Sequence, residues 1–169
     1  MRRRRRESAR ELGMGESAQL TCHGVSETEE LAASLAAIVQ PGDVVGLSGN
    51  LGAGKTTFAR GFVRALTHPT NDVPSPTFTL VQTYDTAKGS LWHCDMYRLT
   101  KPDDALELGL DEAFATSICL IEWPERIGQL LPARRLLLSF GFDGAAADNR
   151  LLTFDGHAQW LDRLRNIIP

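Results

Sequence analysis

The chain of 169 residues is long enough for one domain and too short for several. Its 43% hydrophobic and 23% charged residues are ordinary for a globular fold, and the lack of any 18-residue apolar run excludes a transmembrane helix and a membrane partner of that kind. The net charge of −3 hides an asymmetry: residues 1–10 carry six arginines against one acid, so the body is acidic by eight charges and lacks the basic footprint that broad nucleic-acid contact needs.

The leader, 1–17, has the charge of a signal-peptide n-region with no apolar stretch behind it. It reads as a disordered, self-repelling tail. From 18 to 169 the chain reads as a single domain. Residues 18–22 are expected to form a short strand. Ser26-Glu27-Thr28-Glu29 has the form of a capping box, a hydroxyl followed three residues later by an acid, and predicts a helix over 26–40. Leu31, Leu35, Ile38 and Val39 mark its apolar stripe, and Pro41-Gly42 ends it. Val44-Val45-Gly46-Leu47 is a continuous apolar run, read as a buried strand. It leads through a glycine-rich turn, 49–54, into a helix over 55–66 with Phe58, Phe62, Val63 and Leu66 on one face.

Pro69, Pro74 and Pro76 make the next stretch a loop. Residues 78–84 and 90–96 are β-rich, and 85–89 suits an antiparallel hairpin connection. Short helices are expected over 103–108 and 111–114. Ile118-Cys119-Leu120-Ile121 is a second continuous apolar strand, followed by Glu122 and Trp123 and stopped by Pro124. Residues 136–142 and 151–154 are late strands, and 158–167 a closing helix. The pattern predicts an α/β fold: a mostly parallel core, an antiparallel hairpin portion and helices on both faces. Cys22, Cys94 and Cys119 form no C-x-x-C pair and read as buried thiols in a reducing, cytoplasmic setting.

Gly49-Asn50-Leu51-Gly52-Ala53-Gly54-Lys55-Thr56 matches the phosphate-loop pattern G-x-x-x-x-G-K-[ST]. Glycines let the backbone curl so that successive N–H groups face phosphate oxygens, and the helix that follows adds its free N–H groups and dipole. Lys55 supplies a movable positive charge, and Thr56 a hydroxyl for Mg²⁺. A chance match in a chain of this size is roughly one in two hundred. Such a loop needs a second acid, which usually ends a neighbouring apolar strand. Glu122 ends 118–121 and is favoured; Asp95 ends 90–94. Neither N-K-x-D nor a D-x-x-G after the loop occurs, so ATP is expected rather than GTP. A small-molecule kinase is the alternative reading, with Arg134 and Arg135 as lid arginines, although a solvated charge at a strand start is favoured for that pair. Thr77, in Ser75-Pro76-Thr77, stands where such proteins place a switch. His93 shares a strand face with Asp95, and a packed or hydrogen-bonded histidine is favoured over a metal ligand.

LGAGKTT at 51–57, Arg60-Gly61, SPTFTLV at 75–81, HCDMYRL at 93–99, Leu108-Gly109 and IEWP at 121–124 occur together in one order. On these motifs the chain resembles the TsaE (YjeE) family over about 26–155. The resemblance implies a P-loop NTPase-like fold with an antiparallel portion, and a weak ATPase that works with the TsaB–TsaD heterodimer. That pair transfers a threonylcarbamoyl group to N6 of the adenosine beside the tRNA anticodon, so tRNA is met only through the complex. It also implies that Thr56 and Glu122 bind Mg²⁺, and that Lys55 and the loop through Thr57 hold the phosphates of ATP. Thr77 would be the switch threonine, and Asp95 would orient the attacking water or the metal shell. Trp123 falls on the family's aromatic beside the acid, and Arg150 near a late family arginine at the nucleotide. The segment around Ser26 and Thr28 falls loosely near the nucleotide. Asn50 stands where many members carry Asp, and Cys94 where a larger apolar residue is common.

Overall fold

The computed structural model describes residues 17–168. The leader expected over 1–17 lies outside them except for Ser17. The chain runs through β1 (Ala18–His23), α1 (Val25–Ile38), β2 (Val44–Ser48), α2 (Lys55–Leu66), β3 (Val81–Thr86), β4 (Gly89–Asp95), α3 (Asp104–Glu107), α4 (Leu110–Thr116), β5 (Ile118–Glu122), β6 (Leu136–Gly141), β7 (Asn149–Gly156) and α5 (Ala158–Leu164). The seven strands form one sheet in the order β1-β7-β6-β2-β5-β4-β3. The inner four, β6, β2, β5 and β4, are parallel, whereas β7, β1 and β3 pair antiparallel.

The two continuous apolar runs explain this order. β2 and β5 are buried almost throughout and sit side by side, as strands covered on both faces must. Val45, Leu47 and Leu120 face a core built with Leu35 of α1, Phe58 and Phe62 of α2 and Trp160 of α5. Val44, Cys119 and Ile121 face the other core, with Ala105 of α3 and Leu110 and Phe114 of α4. The helices thus lie on both faces. Gly61 lets α1 and α2 approach closely: a Cβ there would stand 3.1 Å from Glu29 Cα and 3.2 Å from Ala32 Cβ. All three cysteines are free and buried, and burial raises their thiol pKa values, that of Cys119 to about 12.

Several boundaries differ from the sequence reading. Ser26 does not cap α1. The cap is Gly24, whose φ of 87° a side chain would resist, so the helix starts one residue earlier. Glu27 then occupies the third helical position, and its carboxylate accepts the His23 N–H at 2.8 Å. The helix also stops at Ile38, with Val39 extended ahead of Pro41. The expected strand over 78–84 begins only at Val81. Pro76 to Thr79 form a turn closed by the Leu80 N–H on the Pro76 carbonyl at 2.7 Å, and Leu80 takes a left-handed φ of 67°. Phe78 is therefore 80% exposed, its ring 4.2 Å from the Arg98 guanidinium. At the far end β7 is longer than expected and α5 shorter.

The hairpin turn has a second role. α1 has no basic residue in its last turn, and Lys88, in the two-residue turn between β3 and β4, supplies one. Its Nζ donates to the carbonyls of Ala36, Ala37 and Val39 at 3.0, 2.7 and 2.9 Å. Lys88→Met leaves those helix-end carbonyls to water and should cost about 1–2 kcal/mol in urea denaturation. An unchanged midpoint would refute that cap.

Candidate functional site

The site lies at the carboxyl ends of β2, β5 and β4, where open α/β sheets place their ligands. β2 ends at Ser48, and the chain turns through 49–54 into α2. Gly49, Gly52 and Gly54 take φ values of 145°, 80° and 106°. At Gly49 a Cβ would stand 2.8 Å from the Phe140 carbonyl oxygen, a backbone atom that cannot step aside. The Ala53 N–H closes the loop on the Asn50 carbonyl at 3.1 Å.

A cavity of about 260 Å³ opens over this loop. It is lined by Leu51, Gly52, Gly54, Lys55, Thr56 and Thr57 from the loop and α2, by Ser75 and Thr77 from the turn before β3, and by Asp95, Tyr97, Glu122 and Trp123 from the ends of β4 and β5. Lys55 is only 5% exposed. Its Nζ donates to the Gly49 and Asn50 carbonyls, the latter at 2.9 Å, and lies 4.1 Å from the centre of the Trp123 ring. Burial lowers the pKa of its ammonium, opposed by the charges of Glu122, Glu125 and Asp95. Trp123 reaches this position from a left-handed backbone, φ 59°, immediately after β5, and packs on Tyr97 with ring centres 4.9 Å apart.

Two carboxylates face the loop from adjacent strands, Asp95 and Glu122 being paired in the β4–β5 register. Thr56 Oγ1 donates to Glu122 Oε1 at 3.1 Å. Thr77 Oγ1 donates to Asp95 Oδ2 at 3.1 Å, Ser75 and Thr77 hydroxyls are 2.8 Å apart, and the Tyr97 N–H donates to Asp95 Oδ1 at 2.9 Å. Both acids are buried, at 5% and 2% exposure, yet each reaches the cavity. Buried oxygen acceptors beside a lysine and two hydroxyls can hold a hydrated cation and an anion side by side.

The structure thus brings together Lys55, Thr56, Thr57, Thr77, Asp95 and Glu122 from four separated segments. Gly49, Asn50 and Ala53 shape the loop without lining the cavity. Arg150 stands behind it: its guanidinium donates to Ala53 O at 3.0 Å, to Ala147 O at 2.7 Å and to Asn149 O at 2.9 Å, so it props the loop from outside the lining. Thr28 donates to the Gly24 carbonyl inside α1, and neither Ser26 nor Thr28 lines the cavity. His93 is buried and hydrogen-bonded, to Glu122. Cys94 points into the opposite core. Ser75 and Tyr97 were missed as lining residues, although both lie inside the quoted motifs. Arg134 precedes β6 at the amino end of the parallel strands, opposite the loop. Its guanidinium is engaged by the Gly42 and Phe114 carbonyls at 3.0 and 2.6 Å. The arginine pair that a kinase lid requires is therefore at the wrong end of the sheet.

A mixed sheet with a strand–glycine loop–helix unit and two strand-end carboxylates around one cavity defines an α/β protein of the loop-and-helix ligand-site class. The model for the family described as threonylcarbamoyl adenosine biosynthesis protein TsaE matches residues 22–150. The tRNA threonylcarbamoyladenosine biosynthesis protein TsaE of Bacillus subtilis is 43% identical over 129 residues, 76% of this chain and 78% of that protein. Its counterpart from Rickettsia bellii is 41% identical over 116 residues, 69% of this chain and 81% of that protein. The crystal structure of Bacillus subtilis YdiB matches with a TM-score of 0.72 at 33% identity, covering 90% of this chain and 94% of that one. The chain belongs to the TsaE family. No helix among the described residues is long and apolar enough to cross a membrane.

Proposed function

We propose that this chain is a weak, Mg²⁺-dependent ATPase of cytoplasmic tRNA threonylcarbamoyladenosine synthesis that acts on the TsaB–TsaD heterodimer. It is not itself the transferase, and it meets tRNA only through that complex. The observation that carries the reading is the convergence of Lys55, Thr56, Thr77, Asp95 and Glu122 on one cavity above a glycine-rich loop. The donor set fits Mg²⁺. Thr56 and Glu122 offer hard oxygens 3.1 Å apart, and the described residues hold no group of three or more acidic, histidine or cysteine side chains that would cage a metal. Mg²⁺ is usually held by one or two protein ligands with water and phosphate completing its shell.

When bound, Mg²⁺ neutralises charge on the β- and γ-phosphates. The chain supplies the rest. Loop N–H groups and Lys55 hold the phosphates, Thr56 and Glu122 hold the metal, and the Tyr97–Trp123 pair walls one side. Asp95, whose two oxygens accept from Thr77 and the Tyr97 N–H, would accept a hydrogen bond from the attacking water.

The test is ATP turnover by the purified protein, alone and with the TsaB–TsaD pair. Slow turnover that rises with the pair is expected. Turnover indifferent to the pair would overturn the partnership and reopen the kinase reading. Glu122→Ala supplies the second check: in a Mg²⁺ titration it should lower turnover at least about ten-fold while ATP affinity in EDTA stays within about three-fold. Unchanged turnover would remove the metal assignment.

A further inference from the structure

We propose that His93 is a positioning residue that aims the Glu122 carboxylate at Mg²⁺, an inference that rests on the magnesium reading above. His93 precedes Asp95 by two on β4, so both side chains leave the same face of the sheet. The His93 ring is fully buried beneath the cavity and is absent from its lining. Its Nε2 stands 2.8 Å from Glu122 Oε2. A carboxylate only accepts hydrogen bonds, so Nε2 donates. The other oxygen, Oε1, accepts from Thr56. The acid is thereby held at both oxygens, by a ring from β4 and by a hydroxyl from α2.

His93 Nδ1 is buried with no hydrogen-bond partner. An unpaired buried nitrogen is a standing cost, and an apolar side chain of similar size would fill this space without it. What the imidazole contributes in return is, among the described residues, the one hydrogen-bond donor to Glu122 Oε2. Without it, Oε2 would be buried and unpaired. The Lys55 ammonium, whose charge Glu122 already stabilises, would then compete for the carboxylate and draw it off the Thr56 hydroxyl. Groups that hydrogen-bond a metal ligand from behind typically change metal affinity about 10–100-fold when removed.

Two polar variants separate the donor from the packing. The amide nitrogen of Gln reaches the place of His Nε2, whereas that of Asn reaches only the place of Nδ1. Wild type, His93→Gln and His93→Asn are titrated with ATP by calorimetry at graded Mg²⁺ and in EDTA, and turnover is followed against Mg²⁺. His93→Asn should raise half-saturating Mg²⁺ about 10–100-fold with ATP affinity in EDTA unchanged, and His93→Gln should stay near wild type. If Asn does not fold, Gln decides alone: wild-type Mg²⁺ dependence supports the proposal, and its loss overturns it. An Asn variant with wild-type Mg²⁺ dependence, equal losses in both variants, or an equal loss in EDTA overturns it while the parent reading stands. Wild type that binds ATP without any Mg²⁺ dependence overturns the parent reading and this inference together.

Discussion

In a calorimetric titration with Mg²⁺ and ATP, Lys55→Ala loses at least about a hundred-fold in affinity. The ammonium is almost completely buried at the mouth of the loop and is held by the Gly49 and Asn50 carbonyls and the Trp123 face. Those contacts are weak substitutes for a phosphate. Charge-assisted hydrogen bonds are worth about 1.5–3 kcal/mol each, and exchanging carbonyls for phosphate oxygens gives two of them. The stability consequence has the opposite sign. Burial lowers the pKa of the lysine, so the charged form is penalised in the folded chain at neutral pH, and that penalty is relieved only as pH rises through the lowered value. Lys55→Met, which keeps the stem and drops the charge, should therefore unfold in urea at or above the wild-type midpoint while binding no ATP. A variant that is both unable to bind and markedly less stable would mean that Lys55 holds the loop together, and the binding loss would then be secondary. Strain of this kind at a site, relieved by ligand, is a common origin of stability–function opposition.

The parts legible in the sequence are those written in contiguous residues. β2, β5 and α2 follow from continuous apolar runs and a 3.6-residue stripe, and the loop between β2 and α2 from its glycines, Lys55 and Thr56. What failed depended on backbone angles or on partners far along the chain. A Ser-Glu-Thr-Glu run resembles a capping box in any register; Gly24 at positive φ moved the start, and Glu27 took the capping position instead. Phe78-Thr79-Leu80 has strand composition, but Pro76 and the left-handed Leu80 hold it in a turn that delivers Thr77 to Asp95. The His93–Glu122 contact needs the parallel pairing of β4 with β5, which no local pattern encodes. Arg134 looked like a free charge at a strand start and is a staple between the Gly42 turn and the end of α4. Arg150 looked like a ligand residue, and its guanidinium is held by the carbonyls of Ala53, Ala147 and Asn149. Long side chains reveal their targets only when the fold brings distant carbonyls within reach.

Whether hydrolysis or binding alone does the work turns on Asp95. Asp95→Asn should lower ATP turnover about 10²–10⁴-fold, the usual scale for losing a positioned acid–base group, while ATP affinity changes by no more than about three-fold. The fold tolerates the exchange. One Asp95 oxygen accepts from the Tyr97 N–H and the other from Thr77, whose hydroxyl can turn and accept from the new amide instead. What is lost is an anionic acceptor for the water, in a cavity where Lys55 and the loop N–H groups can still hold phosphate. The same variant, added with the TsaB–TsaD pair to tRNA and a threonylcarbamoyl donor, then separates two mechanisms. If multiple-turnover modification fails while the first turnover survives, ATP hydrolysis resets the pair between cycles. If modification proceeds at the wild-type rate through many turnovers, bound nucleotide is sufficient, and the chain is a nucleotide-gated binding module whose hydrolysis is incidental. Turnover unchanged in Asp95→Asn would remove Asp95 from the chemistry, and the hydrogen bond from Thr77 would then serve only to close the turn over the cavity.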